Sequence, residues 1–319
     1  MNRRALRIGA TVAVLAILVW RLGPGPFVEG LHAVDLPTVL AVLAISAVTT
    51  TACAMRWRRV GAGLGLDVPL RPAVAAYYRS QLLNSVVPGG VVGDVDRGLR
   101  HGRDVGSRPL ALRAVAWDRV SGQSVQLAAT AALLVLLPSP LRGVGVALVV
   151  AVLVLLAAAA VAPRLGSGAS RLGRWVRVAA DDVHQCLLPR RTAAAVVGLS
   201  LVVVVGQVAV FLLAARAAGA PMSFSLLVPV ALLTLLAMAV PLHVAGWGLR
   251  EGAAAWAFAA LGLGADLGMR TAVVYGVVAT AATLPGLVVI AVAALRRRSR
   301  PTTGAPAGAL VPAEAVLHG

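Results

Sequence analysis

The chain has 319 residues, 59% of them hydrophobic and only 13% charged. Repeated long apolar runs exclude a soluble globular domain, and their continuity excludes an alternating transmembrane β-barrel, leaving a polytopic all-α membrane bundle. The net charge is +17; the arginines lie mainly between apolar runs, so they read as topology signals and anchors for anionic lipid, not as a nucleic-acid surface.

Taken in chain order, the basic start and apolar core of "MNRRALRIGATVAVLAILVW" resemble a signal peptide without a small-residue cleavage site. They predict a retained first span at about 5–22 with the N-terminus inside. Further full spans are predicted at about 37–55, 114–137, 143–162, 192–215 and 271–295, each near the roughly 20 residues that cross a bilayer. Two regions, 72–88 and 224–265, are apolar but interrupted by Pro and Gly. They read as two re-entrant or broken-helix hairpins; 224–265 also reads as a pair of crossings. Segment 164–191 carries Arg171, Arg174 and Arg177 at helical spacing with Trp175 nearby. It reads either as an interfacial helix or as a solvated loop. Residues 1–295 form a single transmembrane domain on this reading, and the Pro-, Gly- and Ala-rich tail at 296–319 is expected to be disordered.

Six crossings with both termini cytoplasmic place 23 arginines inside and five outside (Arg21, Arg142, Arg216, Arg250 and Arg270), with Arg119 inside a span. That asymmetry fits the positive-inside rule. Cys53 and Cys186 make neither a disulfide framework nor a zinc site, and the five His residues have no metal-ligand spacing. No cofactor motif, nucleophile elbow or HExxH helix is present. No metal, cofactor or enzymatic activity is therefore expected.

"VPGGVVGDVDR" (87–97) and "VPLHVAGWGLR" (240–250) share V-P-x4-G-x3-R. Pro88 aligns with Pro241, Gly93 with Gly246 and Arg97 with Arg250, always 153 positions apart. The same shift carries 37–55 onto the span at 192–215, 72–88 onto 225–241 and 114–137 onto 267–290. Residues 37–137 and 190–290 would then be an inverted repeat, a recurring transporter plan with the solute site at the repeat interface. The alternative is a set of ordinary spans kinked by Pro and Gly.

Helix breaks are expected at Pro88, Gly89, Gly90 and Gly93, and at Pro241, Gly246 and Gly248, where freed amides favour anions. Beside them stand Asp94, Asp96 and Arg97, then Arg250 and Glu251. Charges at membrane depth cost about 2.5–3.5 kcal/mol each on insertion scales, so they face a partner or a wet cavity. Asp118 and Arg119 follow in "AVAWDRVSGQSVQLAAT". Neighbours on a helix point about 100° apart, so Asp118 and Arg119 need not pair with each other: either Asp118 reaches Arg97 or Arg119 reaches Asp94. Asn84 is placed to satisfy freed backbone at the first bend. Asn84, Asp94, Arg97, Asp118, Arg119, Arg250 and Glu251 are the candidate substrate-binding residues.

"LLNSVVPGGVVGDVDRGLR", "WDRVSG" and "VPLHVAGWGLREGAAAW" together resemble the transmembrane domain of the lysylphosphatidylglycerol synthase family, also described as flippase-like integral membrane proteins. The resemblance covers most of 35–295. Asp118 stands where Glu is usual, Val92 replaces a Gly, and Trp247 makes the second motif bulkier. The resemblance implies translocation of a phospholipid or modified lipid with a charged headgroup, or accessory or enzymatic work on polyprenol-linked sugars as in some relatives. The soluble aminoacyl-transfer domain of the synthase members has no counterpart after 295, so that activity is expected to be absent. The expected partners are the bilayer and an anionic or modified lipid in a bacterial cytoplasmic (inner) membrane, with Arg97 and Arg250 engaging the headgroup phosphate from opposite faces.

Overall fold

A computed structural model describes residues 34–87, 90–137, 140–165, 171–239 and 249–298. The span expected at 5–22, the tail beyond 298, and Pro88, Gly89, Pro241, Gly246 and Gly248 lie outside the described residues. Among those described, eleven helices and no strand follow one another: α1 Leu36–Gly63, α2 Leu70–Val86, α3 Val92–Asp104, α4 Arg108–Leu136, α5 Arg142–Leu165, α6 Arg171–Cys186, α7 Arg190–Ala217, α8 Phe224–Ala237, α9 Leu249–Ala260, α10 Ala265–Ala281 and α11 Pro285–Arg298. The protein is an all-α membrane bundle. By length and composition, Leu36–Gly63, Arg190–Ala217 and Ala265–Leu295 can each cross a membrane, and Arg142–Val154 and Phe224–Ala237 are shorter apolar helices.

Local chemistry sets the helix ends. Asp35 caps α1 by accepting from the Thr38 amide at 3.0 Å, with Pro37 in the first turn, where a missing N–H costs nothing. Both α1 and α7 stop just before a glycine of positive φ, Gly65 (φ 78) and Gly219 (φ 83), the backbone state in which a side chain is strained. The span expected at 271–295 is not one helix. It starts six residues earlier and breaks at the turn before Pro285, because proline cannot continue the hydrogen-bond ladder and opens α11 instead.

Shifting by 153 positions carries α1 to 189–216, against α7, and α2 to 223–239, against α8. The same shift puts α3 at 245–257 against α9, and α4 at 261–289 across α10 and the start of α11.

α1 packs along α7 most extensively, and α2 pairs with α3. A Cβ at Gly206 of α7 would lie 2.3 Å from Thr49 Cγ2 of α1, the close approach that small residues give membrane helices. α2 and α3 run antiparallel about the break at 87–91: Asn84 bonds the Gly93 amide, Ser80 bonds Asp94, and Arg79 bonds Asp96. A core of Phe211, Leu227, Val230, Phe258, Val274 and Tyr275 binds α7–α10 together. Outward faces stay apolar, as at Leu40, Val48, Val205 and Val288, where hydrocarbon rather than water is the matching solvent.

α6 is a helix docked on the bundle, not a free loop. Asp182 is buried on it and accepts from Arg113 Nε at 2.7 Å, from Arg113 Nη2, and from Trp117 Nε1 at 2.9 Å. Cys186 packs against Gly63, and burial pushes its thiol up to about 11. Trp175 stays 69% exposed, on the face left for an interface.

The hairpin depends on Gly93. A Cβ there would sit 2.0 Å from the Ser80 carbonyl oxygen, an immovable backbone atom. Gly93→Ala is expected to cost about 1–3 kcal/mol, the usual penalty of overpacking. Thermal unfolding of the purified protein in detergent measures it, and an unchanged melting temperature would mean that α2 and α3 do not pack this closely.

Candidate functional site

The freed chain between α2 and α3 is held by side chains. Asn84 Oδ1 accepts from the Gly93 amide at 2.8 Å, and Arg119 Nη1 donates to the Gly90 carbonyl at 3.1 Å. Gly90 itself adopts φ 57, so the turn needs a residue without a Cβ. Backbone groups that leave a helix at membrane depth must find such partners.

Around this bend, charges form one connected network. Asp94, in the first turn of α3 where the helix dipole favours a carboxylate, accepts from Ser80 Oγ at 3.0 Å, Asn84 Nδ2 at 3.1 Å and Arg97 Nη2 at 3.0 Å, and also from Arg119 Nη1. Asp118, fully buried, accepts from Arg56 Nε at 2.9 Å and Arg97 Nη2 at 3.2 Å, and from the Tyr77 hydroxyl. Asp118 thus reaches Arg97 and Arg119 reaches Asp94, so the two alternative pairings occur together. Asp96 stands apart on the other side of α3, shared by Arg79 and Arg100.

Arg97 is 3% exposed and is no surface anchor. Its guanidinium lies 3.9 Å from the Tyr77 ring centroid and 4.6 Å from that of Trp57, an arrangement that offsets part of its desolvation. Arg56, Tyr77, Ser80 and Ser200 belong to the same network, although sequence reading does not single them out. Arg56 Nη1 donates to Ser200 Oγ at 3.0 Å, passing Gly122, where a Cβ would come within 2.4 Å of it.

The second motif builds a similar arrangement on α9. Arg250 is 2% exposed and bonds Glu251 through Nε at 2.9 Å and Nη2 at 2.5 Å. Glu251 occupies the first turn of its helix, as Asp94 does. The guanidinium lies 5.9 Å from the Tyr275 ring centroid and against Gly276, where a Cβ would come within 2.2 Å.

Two cavities run through these groups. One of about 220 Å³ is lined by Arg56, Arg97, Asp94 and Asp118. Another of about 350 Å³ is lined by Arg250, Tyr275, Thr50 and Ser85. Arg97 and Arg250 therefore do not converge on one chamber. Arg119 lines both, together with Asn84, Gln81, Gln123, Gln126 and Gln207. Among the described residues, four guanidinium groups (Arg56, Arg97, Arg119, Arg250) stand with three carboxylates (Asp94, Asp118, Glu251), a surplus of one positive charge. Beside the larger cavity, an apolar groove of about 620 Å³ follows α1 and α7 past Ile45, Val48, Leu201 and Val205. Thr49 and Gly206 line both the groove and the larger cavity.

The family model described as the lysylphosphatidylglycerol synthase TM region matches residues 4–300. No curated protein and no solved structure matches the chain.

Proposed function

The chain belongs to the lysylphosphatidylglycerol synthase transmembrane family, and from that membership and the cavity geometry we propose that it translocates a membrane lipid with an anionic or charged headgroup. One observation carries this reading: a polar cavity with a surplus guanidinium adjoins an apolar groove at Thr49 and Gly206. The complement of that pair of surfaces is an amphiphile. Its phosphate would lie among Arg119, Arg250 and the carboxamides, while its chain lies between α1 and α7. A soluble anion needs no groove, and a purely apolar molecule needs no arginine. Guanidinium suits phosphate because its planar fork donates two hydrogen bonds at once.

Asp94 and Glu251 hold the arginines in place and would also receive a cationic group on a modified headgroup. The headgroup would pass between Arg97 and Arg250 by way of Arg119, as the two repeated units rock against each other in alternating access. In this reading the units are inverted, the hairpin α2–α3 enters and leaves on one face, and both termini lie on the cytoplasmic side of a bacterial inner membrane. No bond in the lipid is made or broken. The driving force is a gradient or mass action, because the sequence carries no nucleotide-binding loop.

Mass spectrometry of lipid co-purifying with the full chain tests this reading. An anionic or modified phospholipid retained by the wild type and depleted in Arg250→Ala is the expected result. A polyprenyl phosphate in its place would move the activity to polyprenol-linked sugars, and lipid retention unchanged by Arg250→Ala would remove the site.

A further inference from the structure

A third cavity, of about 340 Å³, lies on the far side of α3 from the central chambers, between α2, α3 and the end of α1. Trp57, Arg79, Arg97, Arg100, His101 and Arg103 line it. Among the described residues its lining carries one carboxylate, the exposed Asp104. Arg97 also lines the smaller central cavity, so Arg97, lying over the Trp57 and Tyr77 rings, forms a wall between the two chambers.

The polar chemistry of that wall is incomplete. Arg97 spends Nη2 on Asp94 and Asp118, but its Nε and Nη1 have no hydrogen-bond partner. Trp57 Nε1, on a side chain 1% exposed, has none either, nor has His101 Nε2. His101 packs edge-on against Trp57, ring centroids 5.5 Å apart. A buried N–H without an acceptor costs about 1–3 kcal/mol, and here several gather beside one cavity. Arg79 and Arg100 share the single carboxylate Asp96, which leaves one positive charge over. Such a set of donors lacks only an acceptor of several lone pairs and negative charge.

We propose that this cavity is a second anion site, distinct from the central chambers, that takes a phosphate group. Trp57 Nε1, Arg97 Nη1 and His101 Nε2 donate to its oxygens from the buried side, and Arg100 and Arg103 close it from the exposed side. The same chemistry suits free inorganic phosphate and the headgroup of a phosphatidic-acid-like lipid.

The test uses the full chain in nanodiscs of neutral phosphatidylcholine, titrated calorimetrically at constant ionic strength. One arm uses inorganic phosphate and the other dihexanoyl phosphatidic acid. Saturable binding of one or both probes is expected, weakened about tenfold in Trp57→Phe, which keeps the ring and loses the donor, and about tenfold in Arg103→Ala. Arg250→Ala removes a central-cavity arginine and is expected to keep the binding component that Trp57→Phe and Arg103→Ala weaken, which separates this site from the central one. Binding of phosphate alone, or at least as tightly as the lipid, identifies a soluble anion. Binding of the lipid alone, or more tightly, identifies a headgroup. Absence of binding in both arms, affinities unchanged in Trp57→Phe and Arg103→Ala, or loss only in Arg250→Ala overturns the proposal. Unaltered melting temperatures of the two variants establish that they are folded.

Discussion

Asp118→Ala is expected to destabilise the protein by about 3–5 kcal/mol, the cost of breaking a buried ion pair from one side. The carboxylate lies fully buried between Arg56 at 2.9 Å and Arg97 at 3.2 Å and also receives the Tyr77 hydroxyl. Its removal leaves two guanidinium groups facing each other with Ser200 and Asp94 as their remaining anchors. The attraction of the three charges barely offsets their desolvation, but the loss of one leaves an uncompensated charge in low dielectric. Denaturant unfolding in detergent micelles measures the loss. Replacing Arg56 as well, as Arg56→Met with Asp118→Leu, is expected to recover part of it, because the pair then disappears together. A change below about 1 kcal/mol in the single variant would mean that solvent reaches the network and that the hairpin α2–α3 is not seated as described.

The second large effect is functional. Arg119→Ala is expected to slow lipid translocation about a hundredfold in proteoliposomes while leaving the fold intact. Its side chain is partly exposed, at 31%, and Asp94 keeps Ser80, Asn84 and Arg97 without it. The stability cost is therefore confined to the Gly90 carbonyl, which loses the Arg119 donor. Transport differs, because among the described arginines Arg119 alone lines both central cavities. On the proposed path, removing it would take away the cation that a phosphate meets midway between Arg97 and Arg250. Two charge-assisted hydrogen bonds lost at that midpoint are worth about 3 kcal/mol, or roughly two orders of magnitude in rate. Arg119→Lys is expected to restore only part of the rate, since a single ammonium lacks the fork. A lipid-transfer rate equal to wild type in Arg119→Ala would detach the cavity from transport.

Much of this site is legible in the chain. The Pro-Gly break after Val87 marks the gap between α2 and α3, and charges in apolar context mark Asp94, Arg97, Asp118 and Arg119 as inward-facing. Arg56 is not legible in the same way, because "MRWRRV" reads as a cytoplasmic anchor. Its helical phase is the missing signal: Ala52, Arg56 and Val60 recur every four residues on one buried face, while Arg59 turns outward. Tyr77 and Ser200 carry no charge, so only tertiary packing reveals them. The break at Pro285 was open to view, since a proline inside an apolar run opens or kinks a helix. The separation of Arg97 and Arg250 into two chambers depends on how α4 inserts Arg119 between them, a contact between distant segments that no local pattern encodes.

The proposed translocation requires a lipid seated with its phosphate in the arginine-lined cavity and its chain along α1 and α7. A phospholipid carrying a photoactivatable diazirine in its acyl chain, reconstituted with the protein and illuminated, reports that pose directly. The label is expected to concentrate on groove residues such as Val48, Leu201 and Val205, above the level on the equally apolar face of α11, and to fall to that level in Arg119→Ala. Equal labelling of all lipid-facing helices in the wild type, indifferent to Arg119, would contradict it.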